Sequence, residues 1–165
     1  MTRTCLLWTL LVALALPSPA SAGEGPKPWT PEDVWKLKRV GAPALSPDGS
    51  LVAYQVSETN FEKDWSRTHI RIMTSDGIGD RRVTWATKGS DSNPVWSPDG
   101  QTLAFLSTRQ EGPQLHLLPF RDGGEAHRLL EFPGGIDDFM FSPDGRGIIF
   151  AARTWPQCGH DLSCI

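Results

Sequence analysis

Three copies of one short turn sequence constrain the fold of this chain more than any other feature. Each copy reads Ser-Pro-Asp-Gly and follows a bulky apolar residue. An apolar residue then stands at the third position after the glycine and an aromatic residue at the fifth. The copies are Ser46-Pro47-Asp48-Gly49, Ser97-Pro98-Asp99-Gly100 and Ser142-Pro143-Asp144-Gly145, with serines 51 and then 45 residues apart. Units of about 45 residues with four short strands each are typical of β-propeller blades.

The chemistry of the tetrapeptide predicts a tight hairpin turn. Serine can hydrogen-bond the nearby backbone, proline presets φ near −65°, aspartate tolerates the third position, and glycine accepts the left-handed conformation. Side chains alternate along a strand, so the third and fifth positions after each glycine share one face of the returning strand. We expect these positions to be core: Val52, Tyr54, Leu103, Phe105, Ile148 and Phe150.

Further alternating segments complete the units. The expected strands are 51–58, 69–74 and 82–85 in the first unit, and 93–96, 102–107, 114–119 and 126–130 in the second, while 136–141 opens the third. The predicted fold class is all-β: an incomplete β-propeller of about three four-stranded blades that start near residues 43, 93 and 136. A β-sandwich is the alternative, but it does not explain three copies in register.

The N-terminus reads as an export signal. Arg3, the apolar run 6–16 and the small residues Ala20-Ser21-Ala22 predict a cleaved signal peptide over residues 1–22. An apolar run of this length is too short to span about 30 Å of hydrocarbon as a helix, which argues against a membrane anchor. The mature protein is therefore expected to be periplasmic or secreted, and off the membrane after cleavage.

A leader and a short helix precede the repeats over residues 23–41. Thr30 is placed as a helix cap, Pro31 occupies the first helical position, and Glu32 and Asp33 lie in the first turn, which predicts a helix of about two turns. Residues 42–165 then form the predicted partial propeller. The predicted mature chain has 15 basic and 19 acidic residues, and no basic stripe that would indicate a nucleic-acid partner.

The helix and the first repeat together resemble a known family. The run from Thr30-Pro31-Glu32-Asp33 through Ala44-Leu45-Ser46-Pro47-Asp48-Gly49 to Val52-Ala53-Tyr54 resembles the start of exported prolyl oligopeptidase family serine peptidases, of the dipeptidyl-peptidase and acylaminoacyl-peptidase kind. The hairpins alone are less specific, since TolB-type periplasmic propellers use the same turn. The resemblance covers the whole predicted mature chain.

The resemblance implies a role rather than a catalytic centre. In that family an α/β-hydrolase domain with a Ser, Asp and His triad follows the propeller, and the 165 residues contain no G-x-S-x-G nucleophile elbow. We therefore expect a chain truncated before the catalytic domain, with no catalytic, cofactor-binding or metal-binding residue of its own. The four histidines are interpreted as surface or turn residues: His69, His116, His127 and His160.

The implied function is to gate and position short peptide substrates for the C-terminal α/β-hydrolase domain. A TolB-like periplasmic propeller that scaffolds protein contacts is the alternative. In either case about three blades cannot close a ring, so two apolar blade faces are expected to lack a covering blade within the printed chain.

Two cysteines near the C-terminus predict a local disulfide. Cys158 and Cys164 are separated by five residues, and pairing is the default in an exported chain. Metal binding through these cysteines and His160 is the alternative, although it lacks a fourth ligand. The resembled family also tends to carry a cysteine pair here, which favours the disulfide.

Tryptophans and one acidic loop complete the candidates. Trp96 occupies a repeat position and is expected in the core, and the others of the mature chain are expected to fill gaps at or between blades: Trp29, Trp35, Trp65, Trp85 and Trp155. Glu58, Glu62 and Asp64 cluster near the long loop of the first blade. The resemblance offers a carboxylate site for a substrate amino group there, and a solvated loop is the simpler interpretation.

Overall fold

A computed structural model describes residues 27–121, 123–154 and 157. The predicted signal peptide and the predicted Cys158–Cys164 disulfide lie outside these residues. One helix and ten strands follow in order: α1 (Pro31–Trp35), β1 (Arg39–Leu45), β2 (Leu51–Asn60), β3 (Trp65–Thr74), β4 (Arg81–Arg82), β5 (Asp91–Trp96), β6 (Thr102–Ser107), β7 (Gln114–Pro119), β8 (His127–Arg128), β9 (Asp138–Phe141) and β10 (Ile148–Ala151).

The strands form a series of meandering antiparallel sheets. The first blade has the order β1-β2-β3-β4, the second blade has the order β5-β6-β7-β8, and β9 pairs with β10 as the hairpin of a third blade. Strand β5 contacts β1, β2 and β3, so the first two sheets pack face to face. The predicted all-β, incomplete propeller is confirmed, with β1, β5 and β9 at its inner edge.

Apolar side chains fill both spaces between the sheets. Between the first and second blades the buried residues are Ala53, Ile70, Ile72, Trp96, Leu103, Phe105 and Leu118. Between the second blade and the third hairpin they are Ala104, Leu106, Leu115, Phe132, Ile136 and Phe139. The second blade is therefore packed on both faces, which is how a propeller buries sheets that have two apolar sides.

The burial of the predicted core positions differs from blade to blade. Leu103 and Phe105 are fully buried and Trp96 is 6 % exposed, as expected. Val52 and Tyr54 are only half-buried and Phe150 is 36 % exposed, so their prediction as core was too strong. In each blade this face looks toward the preceding blade, and no blade precedes the first among the described residues.

The end of one outer strand and the surroundings of three tryptophans differ from the predictions. The outer strand β4 ends at Arg82, and the expected continuation to Trp85 is loop. Three tryptophans that were expected to pack at or between blades are exposed. Trp29 and Trp85 are each 70 % exposed, and Trp35 is 48 % exposed. Trp155 lies outside the described residues.

The helix α1 is shorter than the predicted two turns. It begins after Thr30, whose backbone N–H and hydroxyl both donate to the Asp33 carboxylate, at 3.0 and 2.9 Å. These bonds hold the pKa of Asp33 below its ordinary value, chiefly through the Thr30 N–H. Trp35 then lies against Phe61, with ring centroids 5.9 Å apart, and so attaches the helix to the β2–β3 hairpin tip.

Candidate functional site at the inner edge of the blades

The three Ser-Pro-Asp-Gly turns have the same hydrogen bonds. In each, the glycine N–H donates to the serine carbonyl at 2.8–2.9 Å, and the serine N–H donates to the carbonyl five residues on at 2.8–2.9 Å. The serine hydroxyl donates to the aspartate carboxylate at 2.5–2.6 Å and accepts the N–H five residues on at 2.9–3.0 Å. These groups satisfy one another, so the turns act as hairpin closures.

The carboxylates of the turns are held ionised by this arrangement. The Ser46 hydroxyl, followed by the Ser50 N–H and hydroxyl, lowers the pKa of Asp48 to about 2. The pKa of Asp99 and that of Asp144 are also lowered, in each case chiefly by the serine of the same turn. A carboxylate with several local donors is a structural group rather than a general acid.

Successive turns also contact each other along one end of the blades, which we call the turn rim. A Cβ built on Gly100 would lie 3.5 Å from the Pro47 ring, and one built on Gly145 would lie 3.7 Å from the Pro98 ring. The glycine of each turn therefore faces the proline of the turn before it. The repeat thus sets the spacing between blades as well as the hairpins.

At the opposite end, which we call the loop rim, the inner strands carry bulges. One extra residue interrupts the pairing of β1 with β2 between Val40 and Pro43, and another interrupts that of β5 with β6 between Ser92 and Val95. Such bulges bend the strand and increase its local twist. The predictions missed both, although a proline inside each inner strand is the signal that could have indicated them.

The bulges carry a row of hydrogen bonds that joins the three blades. The Gln55 carboxamide of the first blade lies over Gly41, and its oxygen accepts the Asn93 N–H of the second blade at 2.9 Å. The Asn93 side-chain amide then donates to the Asp138 carboxylate of the third hairpin at 3.1 Å. Asn93 has a φ of 53°, a left-handed conformation that asparagine tolerates better than most residues. We call Gln55, Asn93 and Asp138 the inner latch.

Each blade also has an ion pair at the loop rim, between the start of its first strand and the end of its second. The Lys38–Glu58 pair is 2.8 Å long, the Arg109–Asp91 pair 2.8 Å and the Arg153–Asp137 pair 2.9 Å. The charges are reversed in the first blade. Asp91 is fully buried, whereas the other two pairs are partly or largely exposed.

Two histidines lie inside the blades, contrary to their prediction as surface or turn residues. His69 in β3 and His116 in β7 are 4 % and 6 % exposed, and burial lowers the pKa of both. The His116 ring stacks on Phe105 at 5.6 Å, and its Nδ1 lies 3.2 Å from the Gln114 carbonyl oxygen. These contacts make His116 a neutral packing residue.

The three residues of the predicted acidic cluster lie in three different environments. Glu58 is bound to Lys38, and this hydrogen bond is the main reason that its pKa is lowered. Glu62 lines a half-open cavity of about 520 Å³ between α1 and the hairpin tip, together with the exposed ring of Phe61. Asp64 has a φ of 48° in the turn that ends this tip.

The described residues contain neither a cluster of metal-ligating side chains nor a membrane-spanning helix. Within residues 27–121, 123–154 and 157, no three His, Cys, Asp or Glu side chains are grouped as a metal would require. The same part of the chain has no helix that is long and apolar enough to cross a bilayer.

The family follows from the fold and the repeats together. The family described as PD40, TolB beta propeller domain, matches residues 34–159. This span is more than half of the chain, so the chain belongs to the TolB-type β-propeller family.

Relatives within this family include proteins named as peptidases. The chain is 38 % identical over 121 residues to the Bacillus subtilis protein named "Uncharacterized peptidase YuxL". The aligned region covers 73 % of this chain and 18 % of that protein. It is 32 % identical over 162 residues to dipeptidyl-peptidase 5 of Porphyromonas endodontalis, which covers 92 % of this chain and 23 % of that enzyme. The chain thus spans about a fifth of the length of these relatives.

A solved structure gives the same fold. TolB from Acinetobacter baumannii superposes with a TM-score of 0.57 at 28 % identity, over 68 % of this chain and 26 % of TolB. The predicted resemblance to the propeller region of the dipeptidyl-peptidase group is confirmed by the family match and the named relatives.

Proposed function

We propose that this chain is the propeller segment of a serine peptidase, and that it gates and positions short peptides for an α/β-hydrolase domain encoded further along the same protein. The observation that carries the proposal is the 32 % identity to dipeptidyl-peptidase 5 across 92 % of the chain. In a closed propeller the first strands of the blades, here β1, β5 and β9, would line the central channel, and this is the physical basis that we propose for the role.

The inner latch is the feature suited to gating. Its two hydrogen bonds cross from the first blade to the second and from the second to the third, at the end of the channel where the inner strands begin. A cross-blade bond resists the separation of neighbouring sheets. A channel held narrow in this way admits extended or short peptides and excludes folded chains.

The test uses the full-length protein and two substrates. Asn93→Gly keeps the left-handed backbone and removes the side-chain bond to Asp138. We expect the ratio of kcat/KM for a 30-residue peptide to that for a chromogenic dipeptide to rise about twofold to tenfold, as a hydrogen bond contributes about 0.5–1.5 kcal/mol. Arg146→Gln on the turn rim is the control and should leave the ratio unchanged. An unchanged ratio in Asn93→Gly refutes gating by the latch.

A scaffold protein is the second candidate, favoured by the 28 % identity to TolB. The same preparation distinguishes the two functions. Full-length protein that hydrolyses no peptide and is not labelled by a serine-directed inhibitor would support the scaffold and refute the peptidase.

We further propose that the protein is exported and that signal cleavage follows Ala22. The support is the sequence of the first 22 residues and the family of the chain. N-terminal sequencing of the protein from the periplasm or medium should begin at Gly23. A mature protein that begins at Met1 or Thr2 would contradict this proposal.

We also propose the Cys158–Cys164 disulfide. Removal of Cys5 with the signal peptide would leave these two as the cysteines of the printed sequence. A thiol titration of the denatured, unreduced protein, combined with mapping of the 158–164 peptide, should find both residues blocked. Two reactive thiols in that peptide would refute the bond.

A further inference from the structure

A groove on the outer side of the molecule, away from the inner latch, has the chemistry of a binding surface. It runs between the outer strand of the first blade and the outer half of the second, and it consists of two adjoining cavities of about 200 and 320 Å³. Trp85 and Gly124 line both cavities, and Trp85 is 70 % exposed. We call this surface the outer groove.

Two arginines of β4 are held over aromatic rings in the outer groove. The Arg82 guanidinium lies 4.8 Å from the centroid of the Trp85 ring, and its Nε donates to the Thr84 carbonyl at 2.5 Å. The Arg81 guanidinium lies 5.3 Å from the centroid of the Phe120 ring of the second blade. Stacking of this kind fixes a guanidinium in place while its N–H groups stay available for hydrogen bonds.

Neither of these arginines forms an ion pair with a carboxylate of the described residues. Within the described part of the chain, neither Arg81 nor Arg82 has a carboxylate within 4.0 Å, whereas Arg71 is paired with Asp80 at 2.7 Å. Glu125 also lines the second cavity. Arg109 lines the same cavity, but its charge is paired with that of Asp91. The groove therefore presents two fixed positive charges and the Glu125 carboxylate beside one exposed indole, on a chain whose net charge is −3.

We propose that the outer groove binds an acidic peptide segment of a partner protein. Two carboxylates of the segment pair with Arg81 and Arg82, and an apolar side chain between them packs on the free part of the Trp85 ring. Arginine suits carboxylates because its planar fork can donate two parallel hydrogen bonds. A tryptophan beside arginine is the composition found at the energetic centres of protein interfaces.

The test measures binding of a capped peptide to the full-length protein. Fluorescently labelled acetyl-Glu-Glu-Leu-Glu-Glu-amide is titrated with the protein, and acetyl-Gln-Gln-Leu-Gln-Gln-amide serves as the neutral peptide of matched shape. We expect the acidic peptide to bind at least tenfold more tightly, and its binding to weaken as salt rises, because surface charges are screened. Equal binding of both peptides would overturn the proposal.

Variants locate the binding. Arg81→Gln with Arg82→Gln should weaken the acidic peptide at least tenfold, and Trp85→Ala should weaken it severalfold. The matched control is Arg67→Gln, because Arg67 stacks on Trp65 at the same 4.8 Å distance outside the groove. The thermal unfolding of each variant confirms that it is folded. Binding that persists in the double variant would place the peptide elsewhere, for example in a catalytic site, and would overturn the proposal.

Two further outcomes identify a different occupant. Free glutamate that competes as well as the peptide would show a small-carboxylate site and contradict a peptide segment. Self-association of the protein that is abolished by the arginine double variant, with no peptide binding, would replace the partner protein with a second copy.

Discussion

The first and second blades are built on the same plan and are buried very differently. In β6 every residue after Thr102 is buried, whereas in β2 only Ala53 and Val56 are. The equivalent residues Tyr54 and Phe105 show the contrast directly, because Phe105 is fully buried and Tyr54 only half-buried. Burial is therefore determined by the place of a blade in the row, and local sequence alone does not determine it.

The open face of the first blade carries polar contacts in place of a covering sheet. The Tyr54 hydroxyl donates to Asp80 at 2.6 Å, and Arg71 donates three hydrogen bonds to the same carboxylate, the shortest at 2.7 Å. Burial and the Asp80 bond raise the pKa of Tyr54, and the Arg71 bond lowers that of Asp80. The open face of the third hairpin is apolar, with Met140 58 % exposed and Ile149 61 % exposed. The two ends of the row thus differ in the surface they offer.

The contrast predicts its largest effect at Phe105. Truncation by Phe105→Ala removes a ring packed between the two blades and should lower the free energy of unfolding by about 3–5 kcal/mol. Tyr54→Ala at the equivalent position removes a ring that is only half-buried and should cost roughly half as much or less. Urea unfolding of the two variants measures both values. Similar losses would show that blade position does not control burial energy.

The loop-rim ion pairs give the second comparison. Arg109→Ala leaves Asp91 buried without its partner, and breaking a buried pair costs about 3–5 kcal/mol. Arg153→Ala removes the corresponding pair where it is exposed and should hardly change stability. Matched thermal unfolding curves are the measurement. An equal shift in Tm for both variants would contradict the difference in burial.

A smaller effect is expected at the turn glycines, where the blades should behave alike. Gly49 and Gly100 have φ values of 72° and 68°, and a Cβ at either position meets nothing closer than 3.5 Å. The left-handed backbone alone then costs alanine about 1–2 kcal/mol, in both Gly49→Ala and Gly100→Ala. A much larger loss at Gly100 alone would indicate that contact with the preceding turn dominates.

The smallest effect is a pH dependence shared by the turns. The pKa of Asp48 is about 2 in the folded chain, below its ordinary 3.8, so its ionised form stabilises the fold. That contribution is complete above about pH 4 and is lost as pH falls toward 2. Stability measured against pH in Asp48→Asn should be flatter in this window than in the parent. Parallel curves would refute the role of the carboxylate.

The turns could be predicted from sequence because all their partners lie within five residues. Ser46, Asp48 and Gly49 make with their own neighbours every bond that defines the turn, so residue type is sufficient information. The four-strand order of the first and second blades could be predicted in the same way, because each strand pairs with its neighbour in sequence. Trp85 was mispredicted because its surroundings depend on how far the loop after β4 departs from the sheet.

The inner latch and the outer groove could not be predicted. The two hydrogen-bond partners of Asn93 lie 38 and 45 positions away from it in the sequence. Arg81 of the first blade contacts Phe120 of the second blade. Neither pairing has a fixed spacing in the repeat. The proline of each bulged strand is the one local sign of the latch.

We propose that a following blade covers the open apolar face of the third hairpin in the full-length protein, and a labelling experiment tests this most directly. Ile149→Cys in the full-length protein is exposed to a thiol-reactive dye, with Phe61→Cys at the exposed hairpin tip as the control. We expect Cys at position 149 to react at least tenfold more slowly than Cys at position 61, because a following blade covers it. Equal rates in folded protein would contradict the proposal that a following blade covers this face.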